Sequence, residues 1–324
     1  MATEKKNRLL DIFYRAIRGE KIKVATLAGE YEVSEKSISR DITEIKNFLA
    51  DSPEQFAGVE FAYDYTEKAY RLEFDHFLLS KELFSVVKML IGCRGFSKEE
   101  LLELVEKLRQ FTTADDRLLL NQLIQNELYH YQEVRHDCAS VIDNLWKLTG
   151  CINEQREITI RYFKQNRQQV ERRIQPAAVM FSEYYFYLIA FRTDLEEKLP
   201  LYFRADRIVQ IVEHRTKFVK ENWHRFNEGE LRKQIQFMQP GELRKIRFEF
   251  SGPSVQAILD KIPTAKVVGK NGKGHIIEAE TYGKGINMFL LSQGHHVKAL
   301  APESFVEEMR IEIEKMMENY FTKI

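Results

Sequence analysis

The sequence predicts a multidomain α+β protein, and three observations predict it. In the first half, apolar residues recur at helical spacing, interrupted by one short alternating pair of segments between positions 59 and 74. The middle holds a dense aromatic and β-branched run, Tyr184 to Phe191, which favours a sheet. The last third sets strand-like and helix-like segments in the order β-α-β-β-α-β. A chain of 324 residues has room for two or three bodies, each with its own core.

Composition sets the outer limits. Hydrophobic residues make up 44% and charged residues 30%, with a net charge of zero, which argues against a uniformly basic nucleic-acid binder. The charge is uneven, however: Lys and Arg are in excess across 156–220, while 80–155 leans acidic. A localised anion site requires such a patch. No apolar run approaches the roughly 18 residues needed to span a bilayer. The lysine-rich start has no apolar segment behind it, so the expected setting is the cytoplasm, with no membrane partner. Cys93, Cys138 and Cys151 are scattered and form no CxxC pair, so neither a disulfide framework nor a zinc site is indicated.

From Arg8 to Arg18 the residues Leu9, Leu10, Ile12, Phe13 and Ile17 form a helical stripe that Gly19 ends. Lys23 to Tyr31 is a second short helix with Val24, Leu27 and Ala28 inward. After a tight connection, Ser34 is the expected N-cap of a third helix, Glu35 to Leu49, which buries Ile38, Ile42, Ile45 and Leu49. Val59 to Tyr65 and Ala69 to Phe74 then alternate about Thr66-Glu67-Lys68 as a hairpin. That order is a winged helix-turn-helix. Within it, VSEKSISRDITEIKNFL resembles the recognition element of DeoR-type regulators, where Ser-x-Arg-Thr-Ile-x-Arg-Asp-Ile is usual. Ser34, Lys36, Ser37, Ile38, Arg40, Asp41 and Ile42 stand at those positions, with lysine in place of the first arginine. The resemblance implies that Lys36, Ser37, Ser39 and Arg40 meet DNA, since residues near the start of such a helix reach base edges and phosphates. Asp41 is expected to hold Arg40 or a neighbouring lysine. The competing structural interpretation is a three-helix interaction module with a solvated basic face.

Residues 77–131 are helical in pattern. Ser80 is the expected cap of a helix striped by Leu83, Val86, Val87, Leu90 and Ile91, and two further helices are expected at Ser97 to Phe111 and Asp115 to Glu127. Val141 to Glu154 is another amphipathic segment, with Ile142, Leu145, Trp146 and Leu148 expected inward. His130 and His136 have no carboxylate at ligand spacing and are taken as incidental.

Period two places Tyr185, Tyr187, Ile189 and Phe191 on one face of a strand. Arginines at the end of the next strand can flank a tyrosine hydroxyl there, and the guanidinium fork matches phosphate geometry. Phe186-Tyr187-Leu188, between Arg173-Ile174-Gln175-Pro176 and Arg204-Ala205-Asp206-Arg207-Ile208, resembles the WYL domain of bacterial transcriptional regulators. Phe186 stands where that family usually has tryptophan. The resemblance implies an Sm/SH3-like small β-barrel whose anionic, nucleotide- or oligonucleotide-like effector is bound by Arg173, Tyr185, Tyr187, Arg204 and Arg207, a base stacking on a tyrosine. The competing interpretation is a strand with core aromatics and surface ion pairs.

Beyond Val212, the charge-rich 213–240 stretch is expected as a helical linker. Leu243 to Phe250, Ala265 to Gly269, His275 to Tyr282 and His296 to Ala299 are the expected strands of the last third. Pro253 to Ile262 and Gly285 to Gln293 are its helices. This βαββαβ order implies a ferredoxin-like α/β sandwich, resembling the extension that often follows WYL domains. The closing helix, Pro302 to Phe321, is expected to bury Phe305, Val306, Met309, Ile313, Met316 and Met317 on one side. Gly272, Gly274, Gly283 and Gly285 lack GxGxxG spacing and are assigned to turns.

The expected domains are a DNA-binding head at 1–75, a helical connector that dimerises at 76–155, a WYL domain at 156–220 and a C-terminal extension at 221–324. The expected function is a homodimeric, sequence-specific transcriptional regulator that binds a double-stranded operator and answers an anionic effector. No catalytic set, cofactor or metal is expected. Two alternatives stay open: a constitutive DNA-binding repressor whose WYL domain is purely structural, and an RNA- or single-strand-associated accessory protein.

Overall fold

The fold comes from a computed structural model that describes residues 2–51, 54, 56, 58–74, 80–112, 114–194, 200–219, 228–272 and 274–321. The chain divides into two compact units, 1–133 and 134–324.

The first unit opens with α1 (Ala2–Ile17), α2 (Val24–Glu30), α3 (Glu35–Asp51) and the hairpin β1 (Val59–Asp64) and β2 (Ala69–Phe74). Gly19 leaves α1 at φ +77°, in the left-handed region that glycine enters at little cost. Ile12, Ala16, Leu27, Ile38, Ile42, Ile45, Leu49, Phe61 and Leu72 form one core, so the helices and the hairpin share a single interior. Leu10 and Ile17, expected inward, are exposed because the buried stripe of α1 follows Ile12 and Ala16. Ile22 bridges Tyr70 antiparallel and lends the hairpin a third short strand. At its tip, Asp64 Oδ1 accepts from the Thr66 and Glu67 amides, and Lys68 takes φ +52°.

Next come α4 (Ser80–Cys93), α5 (Lys98–Arg109) and α6 (Ala114–Tyr129). Ser97 and Glu100 cap α5 reciprocally. Ser80 lies inside α4 rather than before it, and its hydroxyl donates to Asp116. Leu83, Val87, Ile91, Leu101, Val105, Leu120 and Ile124 are buried, whereas Leu118, Leu119 and Leu123 of α6 face outward.

The second unit begins with an extended segment and α7 (Val141–Asn153), N-capped by Ser140. Strands β3 (Arg156–Phe163), β4 (Gln169–Ser182), β5 (Tyr185–Arg192), β6 (Leu201–Arg204) and β7 (Ile208–Lys217) form an antiparallel sheet in the order β6-β5-β4-β3-β7. A single-turn 3-10 helix, Ala205–Arg207, joins β6 to β7. The register shifts between Pro176 and Ala178 on β4. Proline has no amide to give a ladder, and a bulge is where an interior strand tolerates one.

The alternation of β5 lets this sheet serve two cores, and the bulge keeps β4 in step with it. Leu148 and Cys151 of α7 pack on Ile158, Ile160, Ile174, Leu188, Ala190 and Ile208. The other face, through Ala177, Ala178, Met180, Ile189 and Phe191, packs on Phe218, Leu231, Ile235 and Met238. Trp146 is not among the inward residues of α7; it is 81% exposed, because the buried positions are Val141, Leu148 and Cys151. The stretch expected as a helical linker is mixed. Its first residues extend β7, α8 (Glu228–Gln234) is its only described helix, and 220–227 lie outside the described residues.

Then follow β8 (Leu243–Phe250), α9 (Val255–Lys261), β9 (Lys266–Asn271), β10 (Gly274–Tyr282), α10 (Gly285–Ser292), β11 (Val297–Ala301) and α11 (Glu303–Phe321). The sheet order is β11-β8-β10-β9, antiparallel throughout. Ile246, Phe248, Ile258, Ile277, Ile286, Leu290, Phe305 and Met309 form its core. The burial of α11 stops there: Phe305 and Met309 join this core, whereas Ile313, Met316 and Met317 are exposed. A Cβ on Gly285 would meet the Gln236 carbonyl oxygen at 1.8 Å, so this glycine serves a close backbone approach and not a nucleotide loop. No described helix is long and apolar enough to cross a membrane.

Candidate functional site

Two places concentrate the side chains that sequence singled out. The first is the start of α3. Ser34 caps it as expected, its Oγ accepting from the Ser37 amide at 3.2 Å and lying 2.9 Å from the Ser37 hydroxyl. Buried Ile38, Ile42, Ile45 and Leu49 fix which side faces out, leaving Lys36, Ser39 and Arg40 exposed and Ser37 half-buried. Lys36 and Arg40 lie one turn apart and have no ion-pair partner among the described residues. Ser39 differs from the expectation in one respect: its hydroxyl donates back to the Glu35 carbonyl at 2.9 Å.

Asp41 corrects its expected role. It points inward, 1% exposed, and accepts from Nε of Arg8 on α1 at 2.6 Å, so it pins α3 to α1 and holds neither Arg40 nor a lysine. That hydrogen bond raises the Arg8 pKa above the usual arginine value.

The second place lies where β5, β6 and the 3-10 turn meet. Tyr187 and Arg204 are cross-strand partners. The Arg204 guanidinium lies over the Tyr185 ring, 3.3 Å from its centroid, and the Tyr185 and Tyr187 rings meet edge to face at 6.2 Å. Burial pushes the Tyr187 phenol up to about 12, while the positive charges of Arg204 and Arg207 pull the other way. The two arginines thus do lie near the tyrosine, as the strand alternation implied.

Arg204 is not a bare cation. Its Nε and Nη2 donate to the two oxygens of Asp206 at 3.0 and 2.6 Å. Burial is the largest influence and lowers the guanidinium pKa, but the forked bond and the Asp206 charge together outweigh it and leave the pKa raised. Arg207, half-buried in the turn, has no hydrogen bond or ion pair among the described residues, which makes it the cation free to meet a ligand.

Arg173 is separate. It pairs with Thr159 on β3, while Met180, seven positions further along β4, is the residue opposite Tyr187. That is on the order of 20 Å at the usual strand rise. There Arg173 binds Glu157 at 2.7 Å, and Gln175 donates to the other oxygen of the same buried carboxylate. Arg173 is a structural ion pair on the strand and takes no part in the tyrosine site.

The groups behind the 3-10 turn were not legible in the sequence. The Asp206 carbonyl accepts from the amides of Asp137 and Cys138 at 2.8 and 3.0 Å. Asn144 of α7 donates to the carbonyls of Ala205 and Ile208, and Arg167 Nη1 donates to both oxygens of Asp137. His136, expected to be incidental, is 8% exposed in its side chain, with Nδ1 3.8 Å from Asp206 Oδ2. Asp206 was visible within the arginine motif as the residue two places after Arg204. Nothing local marked His136, because its neighbours lie about 70 positions downstream.

The chain spans about half the length of proteasome accessory factor B/C (PafBC) of Arthrobacter aurescens, a solved structure to which it is 14% identical, with a TM-score of 0.33, over 97% of this chain and 48% of that one. A CRISPR Cas-related protein is 13% identical, with a TM-score of 0.38, over 89% of this chain and 87% of that one. No curated protein matches the chain. The WYL domain family model matches residues 143–213, which run from α7 through β7 and include both arginines of the 3-10 turn. The chain therefore carries a WYL domain, and the Tyr187–Arg204–Arg207 site lies inside it.

Proposed function

We propose that the chain is a sequence-specific DNA-binding transcriptional regulator, acting as a homodimer, whose WYL domain senses an anionic nucleotide- or oligonucleotide-like effector. The observation that carries the DNA reading is the start of α3: Lys36 and Arg40 exposed one turn apart on a helix whose other side is locked into the core. In this reading the first 75 residues are a DeoR-type winged helix-turn-helix, with β1–β2 as the wing. The 143–213 domain is an Sm/SH3-like small barrel, and the last sheet, with its 4-1-3-2 order in its own strand count, is a ferredoxin-like extension. The outward leucines of α6 supply an apolar face for a second copy. Two heads would then enter successive major grooves, about 34 Å apart, on an inverted repeat.

The effector reading assigns Arg207 as the primary anion contact, with Tyr187 beside it. An effector shifts the spacing of the heads only as far as it prefers one dimer state over the other. A second reading has its own support. Because Asp206 neutralises Arg204, the WYL domain can equally be a structural body of a constitutive DNA-binding protein.

The test is selection from a random duplex pool with the purified protein at two salt concentrations. An enriched inverted repeat, with affinity lowered about 1–2 kcal/mol by Arg40→Ala, is the expected outcome. Salt-sensitive binding with no sequence preference would remove α3 from base reading and bring single strands forward. On the operator so found, Arg207→Ala abolishes the response to a nucleotide effector with the fold intact. Arg204→Ala instead destabilises the WYL domain, because it leaves the Asp206 carboxylate buried and unpaired. Equal loss of response and equal stability in both variants would mean that Arg204 serves the ligand alone, with no share in holding Asp206, and overturn this division of roles.

A further inference from the structure

Asp206 faces two ways. Its carboxylate holds Arg204 in the site, and its carbonyl holds the amides of Asp137 and Cys138, in the segment by which the chain enters the second unit. Beside that carboxylate the His136 imidazole is buried with neither ring nitrogen bonded among the described residues, and Nδ1 stands 3.8 Å from the same Oδ2 that accepts from Arg204 Nη2 at 2.6 Å. A buried ring with two orphan nitrogens is costly unless a partner becomes available to it. The carboxylate oxygen beside it is already committed to Arg204.

We propose that Asp206 is a two-position latch: when an anion claims the Arg204 guanidinium, the Asp206 carboxylate exchanges it for the Nδ1–H of His136, and residues 134–140 shift with that exchange. This rests on the reading of the WYL site as an anion sensor and deepens it by naming its output. The resting position favours Arg204, since two bonds between opposite charges outweigh a single bond from a neutral donor to the same carboxylate. The exchange therefore waits for a competing anion. No net proton change is required, because a neutral imidazole carries one N–H to donate. Arg204 does not drift when Asp206 releases it, because the Tyr185 ring still supports the guanidinium. The Asp137 and Cys138 amides of the segment bond to the Asp206 carbonyl itself, and Ser140 at its end caps α7, so a change at Asp206 bears directly on the start of the domain.

The experiment uses the full chain with 15N-labelled histidine and hydrogen exchange, and begins without ligand. Arg204→Gln frees the Asp206 carboxylate. The expected result is a new hydrogen-bonded Nδ1–H resonance for His136 and an exchange rate at Asp137 and Cys138 altered about tenfold. Both signals are lost again in the Arg204→Gln, Asp206→Asn double variant. Arg204→Lys, which keeps the charge but not the fork, serves if the glutamine variant does not fold. An unchanged His136 in a folded Arg204 variant overturns the latch. Inorganic phosphate and a 5′-mononucleotide are then titrated into the wild-type protein. Perturbation of Arg207 with a silent His136 also overturns the latch while leaving anion sensing intact. No perturbation by either anion, with His136 responding to Arg204→Gln, supports the latch and removes the sensor reading on which its biological use depends.

Discussion

At the scale of single residues, the buried pair Arg8–Asp41 shows how one charge fixes a whole surface. Asp41 sits in the same turn as Arg40, yet it faces the core and Arg40 faces solvent, so the pair sets the rotation of α3 about its axis. Arg8→Ala leaves the carboxylate buried without its partner and is expected to cost about 3 kcal/mol of stability, measured by urea unfolding. A cost under about 1 kcal/mol would mean that water satisfies Asp41 and that Arg8 is dispensable. The residue scale is also where sequence was least legible. Lys36, Ser37 and Arg40 were readable because helical period alone decides which face they occupy. Arg173 was misplaced because a motif records order along the chain, whereas a strand as long as β4 separates its two ends by many ångströms. Asp206 and His136 meet only through the fold, so no window of sequence contains both.

At the scale of elements, boundaries were read well wherever apolar period and turn chemistry agreed. The third helix, the hairpin and the first strand of the last sheet fall within a few residues of expectation. The faces of α7 and α11 were less legible. Their sequences offer more apolar residues than their partners can cover, so period gives the direction of burial but not its extent. Helix α11 makes a direct test. Phe305→Ala, which empties a fully buried site, is expected to lower stability by about 3–5 kcal/mol. Ile313→Glu, on the exposed half, is expected to change it by less than about 0.5 kcal/mol. A large penalty for Ile313→Glu, dependent on protein concentration, would place a second copy on that face.

At the scale of the molecule, burial in the second unit holds two phenols, Tyr187 and Tyr202, well above their ordinary pKa. Tyr187 is raised to about 12 by burial, above the value of about 10 for a phenol in an unfolded chain. A group raised on folding contributes stability that is present in full below its unfolded pKa and is lost as pH climbs through the folded one. The window here is thus from about pH 10 to pH 12. Urea midpoints between pH 9 and 11.5 are expected to fall more steeply for the wild-type protein than for Tyr187→Phe, and parallel curves would mean that the hydroxyl is already solvated. The charge map followed the same logic at sequence level: a neutral chain with a basic stretch at 156–220 pointed to a local anion site, and at the tyrosine cluster within it Arg207 has no internal partner among the described residues.

The shift in register at Pro176 bears on length rather than chemistry. On its N-terminal side, β4 sends Ile174 to the core beneath α7; on its far side, Ala178 and Met180 join the opposite core. Ala177 is the extra residue of the bulge, so deleting it is expected to restore a regular ladder with Pro176 still opposite Ala190 and Ala178 still opposite Ile189. Loss of a second residue would turn half the strand over and exchange the occupants of two interiors at once. The stretch from Ile174 to Met180 is thus a ruler with one residue to spare.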